Sequence, residues 1–118
     1  MSEEKSILIA DDNKNICDTL ADILMDFDYS VDCVYDGYEL LAYLEDKIPD
    51  VIILDIMMPS KGGLDVLNTI KSVAPDTKVI IYTGFAQYKK SVYASVVDKF
   101  LLKTDSPDKV LQAVESLV

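Results

Sequence analysis

The strongest constraint on the fold is an alternation of short apolar runs with stretches of helical periodicity along the whole chain. Continuous runs rich in Val and Ile are typical of strands that are buried on both faces, as in a parallel sheet. Five such runs occur, at 7–10, 31–34, 51–54, 79–82 and 100–102. Right-handed crossovers between them would place helices on both faces of the sheet. The pattern therefore predicts an α/β fold with five parallel strands.

Four of the stretches between and after the strands carry apolar residues at the spacing of an amphipathic helix. Their predicted buried stripes are, in chain order, Ile16, Leu20, Ile23, Leu24 and Phe27; Leu40, Leu41 and Leu44; Leu64, Leu67 and Ile70; and Val110, Leu111, Val114, Leu117 and Val118. The segment 85–95 is mostly polar and small, which predicts a short, partly exposed helix. The pattern leaves no room for a second domain, so we expect one domain over residues 1–118.

Two of these helices have recognisable starts. Asp36 and Glu39 have the spacing of a capping box, in which each side chain accepts a backbone hydrogen bond near the helix start. Ser106 followed by Pro107 is typical of an N-cap and a first helical residue. These residues predict where the second and the last helix begin.

Composition and termini exclude several classes of function. Eleven basic and twenty-one acidic residues give a formal net charge of −10, which disfavours direct binding to nucleic acids or anionic membranes. The start MSEEKS lacks the pattern of a secretory signal, and the longest apolar runs are too short to cross a bilayer. Cys17 and Cys33 are expected to be reduced, buried thiols. We therefore expect a cytoplasmic protein.

Polar residues suited to phosphoryl chemistry follow the ends of four predicted strands. Asp11 and Asp12 follow the first strand, Asp55 follows the third, Thr83 follows the fourth and Lys103 follows the fifth. The functional crevice of an open α/β sheet lies beyond the carboxyl ends of its strands. Each residue alone could be a helix cap, a loop residue or a surface charge. Together, at four strand ends, they predict one shared site.

The residue types at this predicted site favour a hard cation. Clustered carboxylates raise each other's pKa unless a cation lies between them. Oxygen donors in a chain without histidine favour Mg²⁺. With the ion present, Asp55 could act as a nucleophile towards phosphorus, and Lys103 could neutralise the phosphoryl oxygens. The Thr83 hydroxyl could donate a hydrogen bond to one of those oxygens.

The segments IADDN, ILDIMMPSKGGLDVL, IIYTG and DKFLLK resemble those of response-regulator receiver domains, including the stand-alone chemotaxis type. The resemblance extends over essentially the entire chain, with the segments in the same order. It implies a flavodoxin-like sheet with the strand order 2-1-3-4-5. It also implies a switch in two-component signalling. The phosphoryl group would come from a phosphohistidine on a sensor histidine kinase or a histidine phosphotransfer protein, and a downstream effector or output domain would respond.

The resemblance also implies a role for each site residue. Asp12 and Asp55 would ligate Mg²⁺ through their side chains, and Met57 would do so through its backbone carbonyl. Asp11 would help hold the ion, mainly through water. Asp55 would be the phosphoacceptor, and Lys103 would contact the phosphoryl group.

The implied switch pair is Thr83 and Phe100, which would change the surface around the fourth helix, fifth strand and fifth helix. Tyr82, Tyr88 and Tyr93 lie near that surface and are expected to be surface aromatics that could anchor a partner. Receivers usually have a proline directly after the lysine that corresponds to Lys103, commonly joined by a cis peptide. Thr104 stands at that position here, which leaves the geometry of this peptide open.

Three alternatives stay open at this point. The chain could be a pseudo-receiver that binds partners without being phosphorylated, a hypothesis that the Thr104 departure permits. It could be a Mg²⁺-dependent phosphatase, although Met57 stands where such enzymes usually place a second acid. A flavin-binding protein could share the fold. We expect no enzyme activity beyond catalysis of the domain's own phosphorylation and dephosphorylation.

Overall fold

The computed structural model describes residues 4–58 and 63–118, in which strands and helices alternate. The elements are β1 (Ser6–Ala10), α1 (Lys14–Met25), β2 (Ser30–Val34), α2 (Gly37–Asp46), β3 (Val51–Leu54), α3 (Gly63–Val73), β4 (Lys78–Thr83), a 3₁₀ helix (Ala86–Lys90), α4 (Val92–Val96), β5 (Lys99–Leu102) and α5 (Asp108–Leu117). All five predicted strands are present, and each boundary agrees to within one residue.

The five strands form one parallel sheet with the order β2-β1-β3-β4-β5. The register places Ile9 of β1 between Cys33 of β2 and Ile53 of β3. Because β1 and β3 are neighbours, the residues that follow them, Asp11 and Asp55, lie side by side at the carboxyl edge. The predicted fold class and strand order are confirmed.

Two hydrophobic clusters, one on each face of the sheet, hold the helices against it. One cluster includes Leu20 of α1 and Val114 of α5, and the other includes Leu40 of α2 and Leu67 of α3. All four residues of β3 are buried, which explains its continuous apolar sequence. Each fully buried Leu, Ile or Val side chain contributes about 1.5–3 kcal/mol through removal of apolar surface from water.

The predicted capping residues act largely as expected. Asp36 Oδ1 accepts a hydrogen bond from the Glu39 backbone N–H at 2.8 Å, and Glu39 Oε1 accepts from the Tyr35 N–H at 2.7 Å. The second bond goes to the residue before the cap, where the usual capping box would use the cap residue itself. Ser106 Oγ accepts from the Asp108 N–H at 3.3 Å, although α5 begins one residue later than predicted.

Two residues of the predicted apolar stripes lie outside the helices and are exposed. Phe27 is 54% exposed because α1 ends at Met25 and Asp28 then adopts a left-handed backbone conformation, with φ of 68°. Val118 is 46% exposed because it follows the last residue of α5. The prediction that these two side chains are core was wrong. The side chain of Leu64 lies outside the described parts of the chain.

The segment 85–95 forms two short helical pieces where we predicted one helix. Ser91 interrupts the helix with an extended backbone, and its Oγ accepts from the Tyr93 N–H at 3.2 Å to begin α4. Tyr88 and Tyr93 are half-buried, and their rings pack edge to face at 5.5 Å. Tyr82 is buried, so the expectation of a surface aromatic was wrong there.

None of the described helices is long and apolar enough to span a bilayer.

Candidate functional site

The predicted acidic residues meet at the carboxyl edge of the sheet. Asp11 is held by its N–H, which donates to the Val34 carbonyl at 3.1 Å, and the Asp55 N–H donates to the Ala10 carbonyl at 2.9 Å. Both carboxylates are buried, whereas Asp12 is exposed. The sheet ladder therefore continues one residue past β1 and β3 and fixes the positions of the two buried acids.

Lys103 extends from the end of β5 into this acidic cluster. Its N–H donates to the Thr83 carbonyl at 2.8 Å, which anchors the residue beside β4. Its ammonium Nζ lies 2.7 Å from Asp11 Oδ2 and 2.8 Å from Asp55 Oδ2. One cation thus bridges two buried carboxylates. The peptide bonds of the described residues are all trans, so Lys103 reaches the site with Thr104 in place of proline.

Burial and charge shift the pKa values of this cluster in a consistent direction. Burial raises the pKa of Asp11 above its ordinary value, although the hydrogen bond from Lys103 opposes the shift. Burial lowers the pKa of Lys103, but hydrogen bonds and charges from Asp11 and Asp55 outweigh it, and the pKa is raised. Lys103 therefore stays protonated, and Asp11 carries its negative charge at a cost in free energy.

The donor atoms of the cluster suit a divalent cation with a preference for oxygen. Asp11, Asp12 and Asp55 each offer a carboxylate oxygen, and these atoms all lie within 4.8 Å of one another. Asp55 Oδ1 also accepts a hydrogen bond from the Met57 N–H at 3.0 Å, which orients the carboxylate. A set of hard oxygen donors fits Mg²⁺ better than zinc or copper.

Two further predicted residues lie on β4 and β5, the strands beyond β3. Thr83 is fully buried, and its Oγ accepts a long hydrogen bond of 3.4 Å from the Phe85 N–H. Phe100 is half-buried and pairs in register with Ile81, two residues before Thr83. Thr83 and Phe100 therefore lie on the same face of the sheet, because alternate strand residues share a face.

Two residues that support the site were missing from the sequence-based prediction. The Asn13 N–H donates to Asp11 Oδ1 at 2.9 Å and forms an Asx turn. The sequence could have indicated this turn, because an Asp is followed by an Asn two residues later. The Cys17 thiol donates to the Asp11 carbonyl at 3.3 Å, and nothing in the local sequence indicates this contact. Both bonds fix the Asp11 backbone and side chain.

Comparison with known proteins identifies the family. A family model for the response regulator receiver domain matches residues 7–115. The chain belongs to this family. Among curated proteins, this receiver is 30% identical over 110 residues to the transcriptional regulatory protein DltR of Streptococcus agalactiae, with 92% of this chain and 49% of that protein covered. It is 28% identical over 114 residues to the response regulator MprA of Mycobacterium avium, with 95% and 50% covered.

The receiver thus spans about half the length of these two curated relatives. The match over residues 7–115 leaves the predicted domain limits of 1–118 a prediction. It confirms that the chain is a two-component receiver.

Solved structures agree with this family and fold. The receiver superposes on the response regulator TrrA of Thermotoga maritima in complex with Mg²⁺ and BeF, with a TM-score of 0.89, 31% identity, and 97% of this chain and 99% of that chain covered. It also superposes on the chemotaxis response regulator CheY4 of Vibrio cholerae, with a TM-score of 0.88, 25% identity, and 98% and 100% covered. TrrA has also been solved in complex with the histidine kinase ThkA, where this receiver matches with a TM-score of 0.86, 31% identity, and 97% and 98% covered.

Proposed function

We propose that this receiver accepts a phosphoryl group on Asp55 from a phosphohistidine donor, with Mg²⁺ held by the neighbouring acids. The observation that carries the proposal is the contact of Lys103 with both Asp55 and Asp11 inside a cluster of three carboxylates. A structural ion pair needs one acid for one base. Three acids around one lysine leave a net negative charge that suits a divalent cation and a transferring phosphoryl group.

Asp12, Asp55 and the Met57 backbone carbonyl would hold Mg²⁺, with Asp11 contributing mainly through water. When bound, the ion supplies positive charge that neutralises the oxygens of the transferring group. The all-oxygen donor set of the cluster supports this assignment. TrrA, which is 31% identical to this receiver, was solved in complex with Mg²⁺ and BeF, and this also supports the assignment.

Asp55 is suited to the role of nucleophile because its two oxygens are held differently. The Met57 N–H fixes Oδ1, and Lys103 contacts Oδ2. In the transfer, a bond forms between an Asp55 carboxylate oxygen and phosphorus while the bond from phosphorus to the histidine nitrogen breaks. Lys103 would then pair with the phosphoryl oxygens, which provide more negative charge than the carboxylate alone.

The new charge would act on the surface around α4, β5 and α5 through Thr83 and Phe100. Among the described residues, the Thr83 hydroxyl accepts a long hydrogen bond of 3.4 Å from the Phe85 N–H, and a phosphoryl oxygen would be a stronger partner for it. Phe100 is half-buried on the same face and could turn inward behind it. The two helical pieces between β4 and β5 have five residues each, and helices this short can form few internal hydrogen bonds, which lowers the cost of rearrangement.

The proposed partners are a sensor histidine kinase or histidine phosphotransfer protein upstream and an effector or output domain downstream, in the cytoplasm. The complex of TrrA with the histidine kinase ThkA supports the upstream partner. DltR and MprA are regulators of about twice this length, which supports an output domain as one form of the downstream partner. The receiver would catalyse only its own phosphorylation and dephosphorylation.

Incubation with Mg²⁺ and acetyl phosphate tests the proposal by intact mass. The expected result is one added phosphoryl group in the wild type and in the exposed-site control Asp76→Asn, and none in Asp55→Asn or in metal-free buffer. Failure of the wild type to gain a phosphoryl group would favour a pseudo-receiver. Multiple turnover of a phosphate monoester such as p-nitrophenyl phosphate would favour a phosphatase.

A further inference from the structure

The outer edge of β2 offers strand backbone for pairing. β2 is an edge strand of the sheet formed by the described residues. The Ser30 N–H donates to the Lys5 carbonyl at 3.0 Å, and the Val34 carbonyl accepts from the Asp11 N–H at 3.1 Å. Because alternate residues of a strand direct their backbone groups to opposite sides, those of Val31 and Cys33 point away from β1. They are available to an additional strand.

Acidic side chains lie on both sides of this edge. On the α2 side, a groove of about 450 Å³ is lined by Tyr35 and Tyr43 together with Glu39 and Asp46. On the α1 side lies Asp18, which is exposed. Asp32 belongs to β2 itself. Burial raises the pKa of the Cys33 thiol, and the negative charges of Asp18 and Asp32 raise it further, so the Asp18 carboxylate also lies near the strand.

The α2 side of β2, next to this groove, already holds one cation in a way that a partner could reproduce. Lys47 Nζ lies 3.9 Å from Asp32 Oδ2 and 5.9 Å from the centre of the Tyr43 ring. The Tyr43 hydroxyl donates to Asp32 at 2.7 Å and orients that carboxylate. Lys47 and Asp32 are exposed, and such surface ion pairs contribute only about 0–1 kcal/mol. A lysine or arginine from outside could therefore replace Lys47 at little cost.

We propose that the β2 edge binds an extended, lysine- or arginine-bearing segment of a partner protein, which adds a sixth strand to the sheet. Backbone hydrogen bonds to Val31 and Cys33 would supply the pairing. Basic side chains of the segment would lie against Asp46 on one face or Asp18 on the other, because strand side chains alternate. This surface lies at the opposite edge from β5, so it is separate from the proposed phosphorylation switch.

The same charges argue against a second copy of this chain as the occupant. Pairing of β2 with β2 would bring Asp32, Asp18 and their copies together on two chains of formal net charge −10. Charged residues on an edge strand are a common means of preventing self-association. Here they repel an acidic strand and attract a basic one, so the edge discriminates by charge.

Amide hydrogen exchange with short model peptides tests the proposal. The probe is a peptide of alternating lysine and valine, and its matched control alternates glutamate and valine. The expected result is slower exchange at the Val31 and Cys33 amides with the lysine peptide only. Two double variants remove equal charge. One combines Asp18→Asn with Asp46→Asn beside β2, and the other combines Asp65→Asn on α3 with Asp76→Asn in the loop after α3. The β2 variant should bind the lysine peptide at least about fivefold more weakly, whereas the α3 variant should bind like wild type.

Three kinds of result would each overturn the proposal. The first concerns the lysine peptide: either its protection maps to other amides, or the two double variants weaken its binding equally. The second is equal binding of the glutamate peptide. The third is protection of Val31 and Cys33 that rises with protein concentration without peptide, since this would identify a second copy as the occupant.

Discussion

The ammonium group of Lys103 lies 2.8 Å from Oδ2 of Asp55. Lys103 follows β5 and Asp55 follows β3, so the contact passes over the end of β4, which lies between these two strands. The same ammonium lies 2.7 Å from Asp11. In this arrangement Lys103 supplies the positive charge that the buried carboxylates need. A divalent cation in the cluster would share that role, so the two cations should compensate partly for each other.

Replacement Lys103→Met should therefore destabilise the metal-free chain and increase its response to Mg²⁺. Lys103 contacts two buried carboxylates, and its removal leaves both without compensation, a change that costs about 3–5 kcal/mol for a buried ion pair. Chemical denaturation with EDTA and with Mg²⁺ measures both effects. The control Lys90→Met removes an exposed lysine and should change neither. Equal Mg²⁺ stabilisation of wild type and Lys103→Met would show that the ion does not bind near Lys103.

Replacement Asp11→Asn should stabilise the metal-free chain at neutral pH. Burial raises the pKa of Asp11 from its ordinary value of 3.8, so the folded chain binds the proton more tightly than the unfolded chain. The stability contributed by Asp11 is therefore present below pH 3.8 and is lost as pH rises through the raised pKa. The variant should gain about 1 kcal/mol over wild type at pH 7 and nothing near pH 3. A constant difference across denaturation curves from pH 3 to 7 would contradict this.

Replacement Gly63→Ala should destabilise the chain although alanine is the better helix former. An added Cβ would lie 2.7 Å from the Ile56 carbonyl oxygen and 2.9 Å from the Ile56 Cβ, where the start of α3 meets the loop after β3. Such overpacking costs about 1–3 kcal/mol. The control Gly84→Ala meets no atom within 4 Å and should stay within about 0.5 kcal/mol of wild type. Equal unfolding midpoints for the two variants would contradict the close approach.

The two thiols should differ in reactivity in the native chain. Burial raises the pKa of Cys17 to about 12, and the residue is fully buried, whereas Cys33 is half-buried. Since the thiolate is the reactive form, Cys17 should react with a disulfide reagent at pH 8 only after unfolding. Cys33→Ser should therefore show no reactive thiol until denaturant is added. Rapid reaction of that variant under native conditions would contradict the buried position of Cys17.

The sequence predicted the strands well because short, continuous Val and Ile runs are typical of strands buried on both faces. The strand order came from the resemblance to receiver domains and not from these runs. The sequence predicted poorly where the backbone, and not hydrophobicity, ends an element. Phe27 continued a regular apolar spacing, but α1 ends at Met25 and the left-handed conformation of Asp28 follows directly after Phe27. Ser91 divides the segment after β4 into two helical pieces, because its side chain accepts a hydrogen bond from the Tyr93 N–H and begins a new helix there. Helix propensity alone does not indicate this cap.

The candidate site was predictable as a set of residues, since four strand ends of a parallel sheet share one edge. The contacts that orient the site were less predictable. The hydrogen bond from Cys17 to the Asp11 carbonyl depends on how α1 packs against β1, and no local pattern encodes that packing. The contact of Lys103 with Asp55, which forms although Thr104 stands where receivers usually have proline, likewise depends on the tertiary structure.

Chemical trapping of the phosphorylated residue tests the central claim most directly. After treatment with acetyl phosphate and Mg²⁺, borohydride reduces an aspartyl phosphate to homoserine, and trypsin cleavage after Lys47 and Lys61 isolates a peptide containing only two acids, Asp50 and Asp55. We predict homoserine at Asp55 in the wild type. Homoserine at Asp50 or in another peptide, or an undiminished yield in Asp55→Asn, would contradict the assignment of Asp55 as the phosphoacceptor.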